Sequence, residues 1–291
     1  MSNSRLAFNP EEVKGSDKFL GREFPMSGVN YRAISALAYQ HSGIVLTDAK
    51  QEMVYSRLAR RLRELRLENF DQYIGLLESD WKSEETGFLN SITTNLTYFF
   101  RENHHFEYLA EVVIPELKKR HQHDRRIRVW STAASTGEEP YSIAMVFREA
   151  FRDKSWDIRI LATDLDSNVL AHARRGVYTN ERVESMEPER RNKWFSQRDP
   201  EHVEVHPDLR SLLTFKQLNL LHDWPMKGPI DVVFCRNVII YFDKETQVRL
   251  FDKVHRLMAS DSWLFIGHSE SLLSAATMFK TQGRTIYQRI G

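Results

Sequence analysis

Between Val29 and about Asn90 the apolar residues recur at spacings of three and four: Tyr31, Ile34, Leu37 and Ala38, then Val54, Leu58, Leu62 and Leu65, then Phe70, Tyr73, Ile74 and Leu77. That period gathers each set on one helical face, so residues 28–90 are predicted to form a small all-helical domain. Residues 1–27 mix Ser, Asn, Pro, Gly and charges without any such period, and a flexible arm is expected there. The stretch SITTNLTYFFRENHHF is too short and irregular to be a domain, and residues 91–106 read as a connector that lies against something larger.

Beyond it, over 107–291, short apolar runs alternate with helical patterns: Ile127 to Trp130, then a helix from Pro140, and Ile158 to Ala162, then a helix from Ser167. Strands alternating with helices imply an α/β fold, a parallel sheet covered on both faces. From about 182 to 213 the rhythm stops, and Val203 and Val205 at strand spacing suggest an inserted antiparallel β subdomain. The sheet pattern resumes at Leu213 to Gln217, Ile230 to Cys235 and Trp263 to Ile266, and Gly283 with Arg284 separates two last runs that read as a hairpin.

Composition narrows the function classes. At 291 residues, 41% hydrophobic and 28% charged, the chain can bury a core, and two domains are expected. Its 41 Lys and Arg nearly cancel 40 Asp and Glu, so no global field marks a nucleic-acid binder. The single cysteine, Cys235, excludes an internal disulfide and fits a cytoplasmic compartment; as a small residue ending a strand, it reads as core packing rather than a nucleophile. No apolar run nears the ~20 residues of a membrane span, and the histidines have no metal-ligand spacing, so no membrane insertion and no metal are expected.

The first strand runs into TAASTGEEPYSIAMVF, where Pro140 suits a first helical turn and Ala133, Ala134, Ser135 and Gly137 let a ligand approach the backbone. One glycine beside Glu138 and Glu139 is a poor cradle for a pyrophosphate, whereas a phosphate-free cation such as S-adenosylmethionine tolerates the acidic loop. The second strand ends at Asp164, placed to accept ribose hydroxyls or equally to cap the next helix, a role open also to Asp166 and Ser167. Asn219 follows the third strand, where its amide suits either an adenine edge or a turn. The fourth strand delivers Arg236 and Asn237 to the same edge.

The stretches TTNLTYFFRENHHF, VWSTAASTGEEPYSIA, ATDLD, NLL, FCRNVIIYFD and GHSE, with GIVL and MVYSRLARRLREL before them, resemble the chemotaxis receptor methyltransferase family over nearly the whole chain. The resemblance implies a Rossmann-like class I methyltransferase sheet binding S-adenosylmethionine, released as S-adenosylhomocysteine. It also implies methyl transfer to glutamate carboxylates of the cytoplasmic helices of chemotaxis receptors, by a monomer recruited to receptor arrays. Carried over by position, Asn95, Thr97 and Arg101 contact the cofactor, with Arg101 near its carboxylate; Glu139 binds from the first loop and Asp164 holds the ribose. Asn219 and Leu220 lie on the adenine side, Arg236 and Asn237 close the site, and Tyr241 faces the transferred methyl; Arg101 and Tyr241 are the expected catalytic positioners. Lys50, Arg57, Arg60, Arg61 and Arg63 make this helical segment strongly basic, and the resemblance implies that this basic face docks glutamate-rich receptor helices. Family members that hold a receptor's C-terminal peptide do so at the insertion, with a glycine-containing turn; this chain has no glycine between Gly176 and Gly228, so independence of that tether is expected. Two rivals stand beside this reading: an RNA methyltransferase, for which the basic helix offers little aromatic stacking beyond Tyr55, and a cofactor-binding scaffold without activity.

Overall fold

The computed structural model describes residues 8–153, 155–272 and 277–290, and the chain divides into two compact units. The first comprises residues up to Thr94 together with Asn219–Leu221 and Ile240–Arg249; the second comprises Asn95–Leu218, His222–Ile239 and the chain from Leu250. Among the described residues no helix is long and apolar enough to cross a membrane.

The first unit holds four helices: α1 (Gly28–Ser42), α2 (Gln51–Leu65), α3 (Phe70–Ser79) and α4 (Trp81–Ile92). A capping box starts α1, in which Ser27 Oγ accepts from the Asn30 amide at 3.2 Å and Asn30 Oδ1 accepts from the Ser27 amide at 2.8 Å. Val54, Leu58 and Leu62 of α2 are fully buried, as their spacing requires.

The expected flexible arm is corrected over residues 8–27; residues 1–7 lie outside the described ones. Two 3-10 turns, Pro10–Glu12 and Asp17–Phe19, carry Phe19 and Met26 into the core, and Phe19 stacks on Tyr55 with ring centroids 4.7 Å apart. Asp17 Oδ1 accepts the Gly28 amide at 2.8 Å, and the Ser16 carbonyl accepts from Gln51 Nε2 at 2.9 Å. A segment that buries isolated side chains from tight turns shows no period, although it packs.

The cations of the basic face have partners inside the unit. Arg61 makes a bidentate pair with Glu84, at 2.7 and 2.6 Å; Glu84 is 2% exposed and also accepts the Tyr73 hydroxyl at 2.9 Å. Gly87 of α4 makes room for that guanidinium, since a Cβ there would sit 2.7 Å from it. Lys50 precedes α2 and donates to the Val45 carbonyl at 2.8 Å, Arg57 donates to the Thr93 carbonyl, Arg60 pairs with Glu64 at 3.3 Å and Arg63 with Glu23 at 2.9 Å.

In the second unit, α5 (His104–Tyr108), a π-turn (Leu109–Val113) and α6 (Ile114–Arg120) precede the first strand. The elements then run β1 (Arg126–Ser131), α7 (Glu138–Ala150), β2 (Asp157–Asp164), α8 (Ser167–Arg175), β3 (Val177–Thr179), α9 (Asn180–Glu184), α10 (Pro188–Trp194), β4 (Phe195–Gln197), β5 (His202–Val205) and α11 (Pro207–Arg210). They finish with β6 (Leu213–Gln217), β7 (Ile230–Cys235), α12 (Lys244–Leu257), whose residues up to Arg249 are assigned to the first unit, β8 (Met258–Ile266), β9 (Phe279–Gly283) and β10 (Ile286–Arg289).

The main sheet has the order β6-β2-β1-β7-β8-β10-β9, parallel except for β10, which runs antiparallel to both β8 and β9. Every residue of β7 is buried, as a central strand covered on both faces must be. Phe234 and Phe265 stack at 4.4 Å between β7 and β8. The inserted sheet, β3-β5-β4, is antiparallel and begins at Val177, five residues before the expected boundary at 182. Phe99 of the connector packs edge-on against Tyr178 and Phe195 of this insertion, at 5.0 and 5.4 Å.

Replacing Glu84 by Ala leaves the Arg61 charge and the Tyr73 hydroxyl without their partner. The expected loss is about 3 kcal/mol in urea unfolding. A change below about 1 kcal/mol, the scale of exposed pairs, would show the Arg61 pair to be a surface contact.

Candidate active site

The ends of β1, β2 and β7 present their polar residues at one edge of the second unit, where an open parallel sheet binds ligands. Between β1 and α7 the loop adopts left-handed conformations at Ser135 (φ 48°) and Gly137 (φ 103°). A Cβ at Gly137 would sit 2.7 Å from the Tyr178 hydroxyl and 2.9 Å from Ala173 Cβ, so glycine is required there. Four of the loop amides are engaged internally: Thr132 donates to the Phe234 carbonyl, Ala134 to Thr163, Gly137 to Ala134, and Ser135 to Asp164 Oδ2.

Asp164 is 7% exposed; Oδ2 accepts the Ser135 amide at 2.8 Å and Oδ1 accepts the Asp166 amide at 3.0 Å. Each oxygen keeps a second lone pair. Burial pushes this carboxyl up to about 6, against the amides that favour its anion. The helix-capping alternative belongs to Asp166, whose Oδ1 accepts from the amides of Asn168 at 2.8 Å and Val169 at 3.4 Å. Asp166 Oδ2 accepts from Asn95 Nδ2 at 2.7 Å, and the Asn95 carbonyl accepts from Ser135 Oγ at 3.0 Å, so the connector is stitched to both loops.

At the end of β7, Arg236 is 3% exposed and lies between two carboxylates. Its Nη1 donates to Glu139 Oε2 at 2.9 Å, while Nη2 donates to the Arg101 carbonyl and stands 3.3 Å from Glu102 Oε2. Glu139 Oε1 accepts from Ser131 Oγ at 2.8 Å, so both oxygens of this residue, expected to bind the cofactor, already have protein partners. Burial pushes the Glu139 carboxyl up against the pull of Arg236. Its neighbour differs: Glu138, fully buried at the start of α7, accepts from Thr136 Oγ1 through Oε2 at 2.5 Å and has no hydrogen-bond partner at Oε1. Burial raises that carboxyl as well.

Two carboxylates with no role assigned from the sequence organise this edge. Burial of Glu102 favours its protonation, but the His268 hydrogen bond at 2.9 Å and the Arg236 charge outweigh it and hold the carboxyl at about 2. Glu270 receives three backbone amides, from Asn237 at 2.9 Å, Ile239 at 3.0 Å and Gly267 at 2.5 Å, and so fixes the loop after β7. The signals were the acid directly after Arg101 and the GHSE stretch. Phe100, Glu102, Ser135 and Asn237 all have positive φ near this edge, the kind of strain that clusters at functional sites.

The structure therefore gathers Asn95, Thr97, Arg101, Glu139, Asp164, Arg236 and Asn237 in the second unit. Arg101 Nη1 donates to the Leu96 carbonyl at 2.8 Å, and Asn237 Nδ2 donates to Glu102 Oε1 at 3.3 Å. Asn219, Leu220 and Tyr241 belong to the first unit instead. Asn219 takes the turn role, its Nδ2 donating to the His41 carbonyl at 2.7 Å and its Oδ1 accepting the Leu221 amide at 3.0 Å; Leu220 is buried. Tyr241 sits in a 3-10 turn (Ile239–Tyr241), with the Lys50 amine 5.1 Å from its ring centroid. Cys235 is fully buried, which pushes its thiol far up and suits core packing.

The donor set fits S-adenosylmethionine. The buried Glu138 carboxyl at the start of α7, whose Oε1 has no hydrogen-bond partner, disfavours a pyrophosphate and suits an ammonium or a sulfonium.

Comparison with known proteins agrees. Residues 95–288 match the family model described as CheR methyltransferase, SAM binding domain, and residues 30–93 match CheR methyltransferase, all-alpha domain. The chemotaxis protein methyltransferase of Klebsiella aerogenes is 42% identical over 92% of this chain and 92% of its own length. That of Escherichia coli is 43% identical over 90% and 91%, and chemotaxis protein methyltransferase 2 of Pseudomonas aeruginosa is 41% identical over 94% and 97%.

Arg236→Met strands Glu139 in the interior without its counter-charge, and the expected cost at pH 7 is about 3 kcal/mol. A carboxyl whose folded pKa lies above its unfolded one gives up stability as pH rises through the folded value, so the deficit should narrow as pH falls toward 5 and Glu139 takes up a proton. Urea unfolding of parent and variant at both pH values measures this, and a deficit independent of pH would exclude Glu139 as the partner that matters.

Proposed function

The chain belongs to the CheR methyltransferase family, and from that premise we propose that it methylates glutamate side chains of chemotaxis receptors, forming methyl esters in the cytoplasm. The observation that carries the reading is the set of buried carboxyls, Glu138, Glu139 and Asp164, at one edge of the second unit. When bound, S-adenosylmethionine supplies a sulfonium-activated methyl group and leaves as a neutral thioether.

Asp164 accepts ribose hydroxyls through its remaining lone pairs, and Glu138 rather than Glu139 offers a free oxygen to the amino group. Asn95 and Thr97 hold the connector against the first loop and the insertion, and Arg101, tied back by the Leu96 carbonyl, orients a carboxylate. Arg236, with Glu139 and Glu102, keeps the edge rigid. The acceptor needs no general base, because a glutamate of pKa near 4.3 is already ionised at neutral pH. Alignment of its oxygen with the methyl carbon is then the main contribution, worth up to ~7 to 11 kcal/mol of barrier. Of the cations on α2, Arg60 and Arg63 have solvent-exposed, weak ion pairs and are the ones an acidic receptor helix can recruit.

Incubation with methyl-tritiated cofactor and receptor-containing membranes should transfer label to the receptor and release it as volatile methanol in alkali. Base-stable label, or none, would remove the ester assignment. The hairpin between β4 and β5 turns without glycine, through Asp199 Oδ1 accepting the amides of Glu201 and His202, each at 2.9 Å. We therefore assign this enzyme to those that act without a tether. Calorimetry with an aromatic and acidic receptor tail pentapeptide should give no saturating heat, and saturation at micromolar peptide would reverse this assignment.

A further inference from the structure

The insertion reaches back to both segments that hold the cofactor in the reading above, on which this inference rests. Arg182 of α9 donates from Nη1 to the Thr97 carbonyl at 2.9 Å, and the same nitrogen stands 3.8 Å from Glu138 Oε1, the buried oxygen without a hydrogen-bond partner. Tyr178 of β3 donates its hydroxyl to the Thr136 carbonyl at 2.7 Å and occupies the space beside Gly137. Thr97 is 8% exposed and Tyr178 2% exposed, so the Thr97 backbone and the Tyr178 ring are held in packed surroundings, while Arg182 keeps about half its surface in water.

We infer that Arg182 and Tyr178 are positioning residues for cofactor binding: the insertion clamps the connector at Thr97 and the first loop at Thr136, and Arg182 sets its guanidinium 3.8 Å from the Glu138 carboxyl at the cofactor site. The chemistry is local. A guanidinium beside a buried carboxyl opposes the effect of burial, and a charge-assisted bond to a backbone carbonyl adds a restraint on the connector at Thr97. The insertion is thereby part of the cofactor site as well as a surface module.

The test is calorimetric binding of S-adenosylhomocysteine to the full chain and its variants, with hydrogen exchange read on peptides covering 95–101 and 132–138. Arg182→Gln should bind roughly tenfold more weakly, the loss of one bond to a charged donor. Exchange should quicken in both peptides while the unfolding midpoint stays put. Arg182→Lys, which keeps the charge, should recover part of the affinity. Tyr178→Phe removes one hydroxyl and should weaken binding and quicken exchange at 132–138 alone; it decides the matter if Arg182→Gln fails to fold. Affinity within about twofold of the parent for both Arg182→Gln and Tyr178→Phe overturns the inference. A parent that does not bind S-adenosylhomocysteine would instead fail the reading of the site itself, and the inference with it.

Discussion

The buried Arg236 guanidinium, held between Glu139 and Glu102, is the interaction on which the second unit's functional edge depends. It joins the end of β7, the first turn of α7 and the connector at Arg101 and Glu102, three segments far apart in sequence. Two carboxylates around one guanidinium leave an excess negative charge, and burying such a group is costly unless each polar atom is matched. Here Ser131, His268 and the Arg101 carbonyl supply most of that matching, while Arg236 Nε is buried without a hydrogen-bond partner. A hydrophobic replacement of the cluster would lower that cost and lose the register it imposes on the connector.

The same electrostatics explain the ligand class. Nucleotide sites usually greet phosphate with amides at a helix start; beside the start of α7 four loop amides, those of Thr132, Ala134, Ser135 and Gly137, donate within the protein. What remains near the start of α7 is carboxylate, most of it buried, as suits a cationic guest without phosphate. Burial pushes the Asp164 carboxyl up, and the amides of Ser135 and Asp166 favour its anion.

Periodicity made the large elements legible. The helices of residues 28–92, the parallel strands and the terminal hairpin at Gly283 all follow from apolar spacing, because each buries a regular face. The segment from 8 to 27 did not follow, since Phe19, Phe24 and Met26 are buried one at a time from turns. The insertion's first strand was missed because three residues after Gly176 are too few to alternate visibly. At the site, sequence named the right edge but not the partners. Of two adjacent glutamates it could not tell which was tied to Arg236, and it shows that α2 is strongly basic but not that Glu84, Glu23 and Thr93 wait for its arginines.

The insertion's two ends are stitched together: the Val205 amide donates to the Gly176 carbonyl at 2.9 Å, just before the chain returns through α11 to β6 beside β2. A stem closed in this way isolates the scaffold from whatever the β4–β5 tip becomes. Doubling such a loop costs only about 0.6 kcal/mol of closure entropy. The tip can therefore be lengthened, shortened or rebuilt at little entropic cost while the main sheet keeps its register.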